Sequence, residues 1–175
     1  MLSFIVVVLI AAAVDEAMAG VCPPPGEIAP CSCSDFGSEG LVIQLNCHNT
    51  QLDDEMASQI LDKMISWPRV SPLRRLELSS NRLTRIPTQL TNFSMLNYVE
   101  LGGNQIASIE AKAFDLETTF TWLNLNSNPI TSVQEGAFQG TVKHTGKILF
   151  IFKHRTFHHL AFYVYHNRLL WRYYC

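Results

Sequence analysis

Three segments of the chain carry the same alternation of apolar and polar residues: LRRLELSSNRLTRI at 73–86, LNYVELGGNQIASI at 96–109 and FTWLNLNSNPITSV at 120–133. Once aligned, the segments share the positions Leu76, Val99 and Leu123; Leu78, Leu101 and Leu125; and Asn81, Asn104 and Asn128. The asparagines are 23 and then 24 residues apart. Because unrelated strands would not keep such a constant period, the pattern indicates stacked copies of one structural unit.

Each segment predicts a short strand followed by an inward turn. In Leu76-Glu77-Leu78 the alternation has a period of two, which is typical of a half-buried strand. The asparagine follows where the chain turns inward, and its amide can supply the hydrogen bonds that buried backbone needs. Further apolar positions extend the core and close its convex side: Leu83, Ile106 and Ile130; Ile86, Ile109 and Val133; Leu90, Phe114 and Phe138.

The motif L-x-x-L-x-L-x-x-N-x-L at this period is the signature of leucine-rich repeats. No single repeat can bury its own apolar edge, so the core arises from stacking, and three repeats are about the minimum for a stable array. We therefore predict an α/β fold, a leucine-rich repeat solenoid over residues 51–140 with a parallel sheet on its concave face.

An irregular helical repeat is predicted to precede the regular ones. A first strand is expected at Leu41–Leu45, and Thr50 with Asp53 three residues later resembles a capping box. The apolar residues that follow fall on one helical face: Met56, Ile60, Leu61, Met64 and Ile65. The helix should end before Pro68. An apolar stripe at this spacing favours a core helix over one that binds a partner.

The N-terminus predicts secretion. Phe4–Val14 is an unbroken apolar run, short for a membrane span, and Ala17-Met18-Ala19 matches a cleavage site, so residues 1–19 are expected to be a signal peptide. A retained anchor is the alternative. Secretion makes the one glycosylation sequon, Asn92-Phe93-Ser94, a candidate modification site on the convex or descending side.

Four cysteines follow the cleavage site in the pattern C-x8-C-x-C-x13-C: Cys22, Cys31, Cys33 and Cys47. In an oxidising compartment such a cluster predicts two disulfides with three possible connectivities. Zinc is the competing interpretation, but the spacing lacks the paired ligands typical of zinc sites. The cluster resembles the disulfide-bonded N-terminal cap of extracellular leucine-rich repeat proteins, which implies that residues 20–50 form a cap that covers the open edge of the array.

Residues 141–175 form a divergent tail that has six basic side chains and no acidic ones. They have three possible interpretations: a last repeat and cap with a strand at Ile148–Phe152, an aromatic membrane-surface element, or a foreign end that follows a truncated array. The loss of period at a repeat boundary favours the third, which predicts poor order from about residue 141. Cys175 stands alone, with intermolecular pairing as one prospect.

Charge and motifs exclude several functions. Residues 20–140 carry 7 basic and 13 acidic side chains, a net charge of −6, which argues against nucleic acid as a partner. No phosphate loop, nucleophile elbow or H-E-x-x-H motif occurs, so we predict neither an enzyme nor a cofactor. The remote alternative is a metal-dependent enzyme that uses His154, His158 and His159, although their segment has no carboxylate to orient them.

Between the buried leucines, side chains are expected to point outward in columns. The candidate ligand-binding residues are Arg75, Tyr98 and Trp122 in one column and Glu77, Glu100 and Asn124 in the next; a third column holds Ser79, Gly102 and Asn126. Tyr98 should stack on Trp122, with Arg75 over the tyrosine ring. Arginine and aromatic residues are enriched at binding hot spots, and the adjacent Glu77 and Glu100 suit a cationic group. A purely structural aromatic pair is the alternative.

The cap CPPPGEIAPCSCSDFGSEGLVIQLNC, the helical segment and the short repeats together resemble secreted arthropod leucine-rich repeat proteins over about residues 20–140. These features also look like those of the non-catalytic leucine-rich repeat subunit of Oplophorus-luciferin 2-monooxygenase. The resemblance implies disulfides between Cys22 and Cys33 and between Cys31 and Cys47. It also implies an accessory or scaffold subunit with a protein partner and no catalysis of its own. An extracellular matrix or innate-recognition protein is the alternative and differs only in its ligand.

Overall fold

The computed structural model describes residues 22–36, 42–67, 73–115, 120–138, 148–154, 157–165 and 168–173. Two α-helices, a 3-10 helix at Thr88–Asn92 and ten strands occur in these ranges. The helices are α1 Pro25–Ile28 and α2 Asp54–Ser66. The strands are β1 Ser32–Phe36, β2 Val42–Asn46, β3 Leu73–Glu77, β4 Tyr98–Glu100, β5 Ser108–Ile109, β6 Trp122–Asn124, β7 Ser132–Val133, β8 Ile148–His154, β9 Phe157–Tyr165 and β10 Arg168–Tyr173. The predicted signal peptide and Cys175 lie outside the described residues.

A five-stranded sheet of order β1-β2-β3-β4-β6 organises the molecule. Strands β2, β3, β4 and β6 are parallel, which confirms the α/β class. Their apolar residues face one way and are essentially inaccessible to water: Leu45, Leu76, Val99 and Leu123. The polar residues between them line the opposite side of the sheet, which we call the outer sheet face. Alternation with a period of two thus separates core from surface.

Each repeat asparagine ties its own turn to the preceding one. Asn104 donates through Nδ2 to the carbonyls of Leu78 (3.0 Å) and Leu101 (2.9 Å) and accepts through Oδ1 from the backbone N–H of Leu83 (3.1 Å). Asn81 and Asn128 make equivalent bonds, and all three side chains are buried. The predicted amide ladder is therefore present, and it pairs backbone groups that burial would otherwise leave unsatisfied.

Aromatic packing contributes to the core outside the sheet strands. Leu90, Phe114 and Phe138 are buried there, as the repeat alignment predicts. The rings of Phe114 and Phe138 stack with centroids 5.1 Å apart, and Phe120 meets Phe114 edge to face at 5.7 Å. The short strands β5 and β7 belong to successive repeats and pair in parallel, Ser108 with Ser132 and Ile109 with Val133. Neighbouring repeats thus contact each other outside the five-stranded sheet as well as within it.

Helix α2 lies where the sequence predicts but differs in its cap and its apolar face. Asp53 is the N-cap, since its side chain accepts from the backbone N–H of Met56 (2.9 Å), and the capping box assigned to Thr50 is wrong. Thr50 occupies the ladder position of its turn and donates to the carbonyl of Cys47. The buried face is Ala57, Ile60, Leu61 and Met64, whereas Met56 and Ile65 are 39% and 41% exposed. The helix ends at Ser66, before Pro68 as predicted.

The N-terminal segment forms a cap that the sequence predicts only in part. Strand β1, which the apolar pattern does not reveal, pairs antiparallel with β2 and occupies the edge of the sheet. The structure places Cys22 against Cys33 and Cys31 against Cys47 at disulfide distance, with Cα separations of 5.6 and 4.4 Å. These are the pairs that the family resemblance implies. Strand β2 is shifted by one residue from the predicted Leu41–Leu45.

The tail contributes a sheet of its own. Strands β8, β9 and β10 form an antiparallel sheet of order β10-β9-β8, separate from the parallel sheet. A strand does begin at Ile148, but it does not continue the parallel array as a fourth repeat would. The poor order expected from about residue 141 stays a prediction. Within the described ranges, no helix has the length and apolar character needed to cross a membrane.

Candidate functional site

The parallel register assembles the predicted outward columns into rows. Arg75 pairs with Tyr98 and Tyr98 with Trp122 in neighbouring strands, and Glu77, Glu100 and Asn124 follow in the same way. Strand β2 extends each row by one residue that the sequence analysis missed, Gln44 beside Arg75 and Asn46 beside Glu77. The signal was present, because Leu45 and Cys47 repeat the spacing of Leu76 and Leu78, but Cys47 conceals the second apolar position.

The first row is a continuous stack of π systems and a cation. The guanidinium carbon of Arg75 lies 3.8 Å from the centroid of the Tyr98 ring, a cation–π geometry. Tyr98 and Trp122 stack with centroids 5.9 Å apart and planes 12° from parallel. Trp122 is 43% exposed. The stack therefore ends in Trp122, a large aromatic side chain that is exposed to solvent.

The second row holds the first in place. Arg75 donates to Oε1 of Glu77 from Nε (2.8 Å) and Nη2 (2.5 Å). Oε1 of Glu100 accepts from the Tyr98 hydroxyl (2.9 Å) and from Nε1 of Trp122 (2.5 Å). Each polar edge of the stack thus rests on a carboxylate. Such bonds to charged acceptors are stronger than neutral ones and fix the rotamers of all three stacked side chains.

The carboxylates also shift the ionisation of the stack. Burial raises the pKa of the Tyr98 phenol above its ordinary value, and the hydrogen bond to Glu100 acts in the same direction. Burial lowers the pKa of the Arg75 guanidinium, but the hydrogen bond and charge of Glu77 outweigh it and the net shift is upward. Both shifts favour the protonated form of the group.

A cavity of about 420 Å³ opens beside the rows on the outer sheet face. Its lining includes the third predicted column, Ser79, Gly102 and Asn126, together with Glu77, Glu100 and Asn124. A side chain at Gly102 would be crowded, because a Cβ atom would lie 3.2 Å from Nδ2 of Asn124 and 3.3 Å from the carbonyl oxygen of Asn126. The missing side chain at 102 thus leaves space in the middle of the column.

Residues 71–130 match the family model for the leucine rich repeat. This part of the chain is a leucine-rich repeat region. Repeat regions of this class use the extended surface of their sheet to bind proteins, so the chain contains a protein-interaction module. No solved structure matches the chain. The parallel rows are the side chains that this leucine-rich repeat region presents between its buried leucines.

One contact on the repeat surface resembles part of a hydrolytic site. Nδ1 of His48 lies 2.9 Å from Oγ of Ser79, a contact that the sequence analysis missed because the two residues are 31 positions apart. A nucleophilic serine needs its histidine oriented by a third group, and no carboxylate of the described chain bonds to His48. Both residues line the cavity on the outer sheet face.

The other candidate sites lie away from the rows. Asn92 ends the 3-10 helix of its repeat and is exposed, as is Ser94 of the same sequon. Of the tail histidines, His154 lies in β8, while His158 and His159 lie in β9, so no helical face joins them. Among the residues searched, no group of three histidine, cysteine or acidic side chains is placed to hold a metal ion.

Proposed function

We propose that the protein is a secreted binding subunit that holds a protein partner on the outer sheet face, as an accessory or scaffold component without catalysis of its own. In this proposal the repeat region is a short solenoid and the outer sheet face is its concave surface. The leucine-rich repeat match over residues 71–130 supports the general role, since this class commonly binds proteins.

The observation that carries the proposal is the supported stack of Arg75, Tyr98 and Trp122. Here Glu100 bonds both rings, while Trp122 remains 43% exposed. Tryptophan, tyrosine and arginine are the residues most enriched at binding hot spots. An aromatic anchor fixed before binding loses little entropy when a partner docks.

Several features support an extracellular location. The apolar run Phe4–Val14 followed by small residues favours a signal peptide. Cys22 and Cys33, and Cys31 and Cys47, are positioned for disulfides, which persist in oxidising compartments. The exposed Asn92 sequon suits glycosylation. We propose that all four cysteines are bridged and that Asn92 carries a glycan.

Partner capture by the secreted protein tests the function. The tagged protein is crosslinked in the medium and surface fraction of the cells that secrete it, and the bound partner is identified by mass spectrometry. Changing Tyr98→Ala together with Trp122→Ala removes the stack and should abolish recovery of that partner. Trp122→Ala alone, at an exposed position, should reduce recovery about tenfold or more, as expected for a hot-spot residue.

The matched control is Met56→Ala with Met95→Ala, which shortens two side chains that are each 39% exposed and lie outside the sheet rows. This variant should capture the partner as well as the unmodified protein does. Circular dichroism and thermal unfolding establish that all variants are folded. Unchanged capture by the folded Trp122→Ala and double variants would show that the outer sheet face is not the binding surface.

A further inference from the structure

Successive turns of the array are joined by backbone bonds that follow one scheme. At each of three junctions, three backbone N–H groups of one turn donate to two carbonyl oxygens and the asparagine Oδ1 of the next turn. At the middle junction the donors are Leu78, Ser80 and Leu83. Their acceptors belong to Glu100 (2.8 Å), Gly102 (2.8 Å) and Asn104 (3.1 Å). The other two junctions use the same positions over 2.8–3.0 Å: Cys47, Asn49 and Leu52, and Leu101, Gly103 and Ile106.

The last turn carries the same three donors without their acceptors. The equivalent residues are Leu125, Ser127 and Ile130, and none of their N–H groups donates to an acceptor in the part of the chain that the structure describes. Strand β6, which leads into this turn, pairs only with β4. Because the three earlier junctions show which acceptors these donors take, the end of the array has the pattern of an unfilled junction.

Apolar side chains at the same end are also incompletely covered. Ile130 and Val133 pack against the core but are only partly buried. Their equivalents in the preceding repeat, Ile106 and Ile109, are fully inaccessible to water. A repeat buries its apolar edge against the next repeat, so burial stops at the junction where the backbone bonds stop.

The two ends of the parallel sheet differ in their protection. At the N-terminal end, β1 pairs with β2. At the other end, residues 120–134 contain no charged side chain, although charges are a usual protection of a sheet edge against strand addition. Strand β8 lies beside β6, but it pairs with β9 and forms no ladder with β6. An incoming strand can therefore take the place of β8 without breaking a ladder bond to β6.

We propose that the edge of β6 is a second interaction surface, which binds a strand and inward turn of a partner protein in the way that the next repeat would bind. The partner segment runs parallel to β6 and supplies two carbonyl oxygens and the side-chain oxygen of an asparagine. It also brings apolar side chains to Ile130 and Val133. In strand addition of this kind, main-chain bonds give affinity and side-chain positions give specificity.

The inference goes beyond the proposed function, since it concerns the edge of the sheet and not its outer face. A second copy of the chain fits this edge less well. Head-to-tail stacking would need a free N-terminal edge, which β1 covers. Two β6 edges related by a two-fold axis would pair antiparallel, whereas all three junctions within the chain are parallel.

Hydrogen exchange of single amides in the full-length ¹⁵N-labelled protein tests the inference. In the free protein, the edge amides of Leu125, Ser127 and Ile130 should exchange at least about tenfold faster than their equivalents in the preceding repeat, which have acceptors. The probe is a peptide with the sequence of residues 96–109, acetylated and amidated at its ends. It contains the three acceptors of the middle junction, so it should slow the exchange of the three edge amides in a saturable way.

Matched peptides and protein variants locate the contact. The peptide with Asn104→Ala lacks the acceptor for Ile130, so it should bind about fivefold more weakly and leave that amide unprotected. A scrambled peptide should protect none of the three amides. In the protein, Ile130→Thr with Val133→Thr removes apolar surface from the edge and should weaken binding of the original peptide about tenfold. Ile65→Thr makes the same kind of change on α2, at a residue that is 41% exposed, and should leave the affinity unchanged.

Four results would overturn the proposal. Slow exchange of the edge amides in the free protein at low concentration would show that the tail already fills the junction. Protection that rises with protein concentration would assign the edge to a second copy. Failure of the peptide to slow exchange, or equal protection by the scrambled peptide, would show that the edge does not recognise a repeat-like strand. The proposed function is decided separately, by partner capture with the variants of the outer sheet face.

Discussion

At the scale of single residues, hydrogen bonds to buried or half-buried acceptors decide where each polar side chain lies. The repeat asparagines show this most simply, since each donates to carbonyls of two adjacent turns and accepts from backbone N–H groups of the preceding turn. Thr50 takes the same place in the first turn but offers one hydroxyl, which reaches the carbonyl of Cys47 and Oδ1 of Asn81. The cap, and no earlier repeat, precedes that turn. Thr50 therefore has no preceding repeat turn to bond, and its shorter side chain is sufficient.

Tyr98 gives a prediction at this scale. Burial and the bond to Glu100 raise its pKa, so the folded state binds this proton more tightly than the unfolded state does. Its contribution is therefore fully present below the ordinary pKa of tyrosine and is lost as the pH rises through the higher folded value. Tyr98→Phe should cost about 1 kcal/mol of unfolding free energy at neutral pH. Urea unfolding from pH 7 to 11 measures both effects.

Tyr98→Phe also identifies the absorbance signal that comes from Tyr98. The difference in ultraviolet absorbance between the unmodified protein and Tyr98→Phe isolates the tyrosinate signal of this one residue. That signal should appear at higher pH than the signal of free tyrosine. A titration at or below the ordinary value, or equal losses of stability at high pH with and without the hydroxyl, would show that Glu100 does not hold the phenol protonated.

At the scale of elements, the turns after the strands repeat a backbone conformation that the residue types conceal. The residue before each ladder position has a positive φ: Asn49 at 53°, Ser80 at 58°, Gly103 at 69° and Ser127 at 58°. Asparagine and glycine tolerate this left-handed region, whereas serine is strained in it. The strand and the inward turn are joined at this residue, so the conformation is required in every repeat whatever residue occupies it.

Replacing these serines should therefore stabilise the array. Ser80→Gly or Ser127→Gly relieves the strained φ, and after the entropy gained by the unfolded chain is subtracted the net gain should be about 0.5–1 kcal/mol each. Gly103→Ser should destabilise the protein by a similar amount, because serine would be strained at the φ of 69° that glycine adopts there. Chemical denaturation measures all three.

Ser132→Gly provides the contrast, since Ser132 lies in strand β7 and is not among the residues with positive φ. Glycine there should destabilise slightly through its greater freedom in the unfolded chain. If all three serine-to-glycine variants changed the free energy of unfolding in the same direction, the left-handed conformation would not be the cause of the gain at Ser80 and Ser127.

At the scale of the whole molecule, the two cysteine pairs close the N-terminal side of the core. Cys47 is fully buried and occupies the position that Leu78 holds in the next repeat, and Cys31 is 6% exposed. Cys22 and Cys33 are only partly buried. Strand β1, which contains Cys33, pairs with β2 and occupies the edge of the sheet, so strand pairing and both cysteine pairs lie at the same end of the sheet.

The pairs should differ in their effect on stability. Replacing Cys31 and Cys47 by alanine should cost about 3–5 kcal/mol, because a 16-residue link is lost and a gap opens in the core. Replacing Cys22 and Cys33 should cost less, about 2–3 kcal/mol, since the sequence separation is 11 and the site is less buried. Thermal unfolding under non-reducing conditions checks the order. Equal or reversed losses would contradict the assignment of Cys47 to the core.

The sequence by itself determined the repeated unit and everything that follows from its register. Because the segments after Leu73 have nearly equal length, parallel stacking places aligned residues side by side, and the rows from Arg75 to Trp122 and from Glu77 to Asn124 could be predicted. The asparagine ladder and the buried aromatic column follow for the same reason. The roles of these rows in binding stay predictions.

Only the tertiary structure decided what happens where the repeat pattern is broken. No local pattern shows that β1 pairs with β2, that Asp53 replaces Thr50 as the cap, or that His48 meets Ser79 across 31 residues. It also decided which carboxylate oxygens bond within the stack. Periodicity fixes which residues are neighbours, but the bonds of individual atoms depend on how the irregular segments dock against the array.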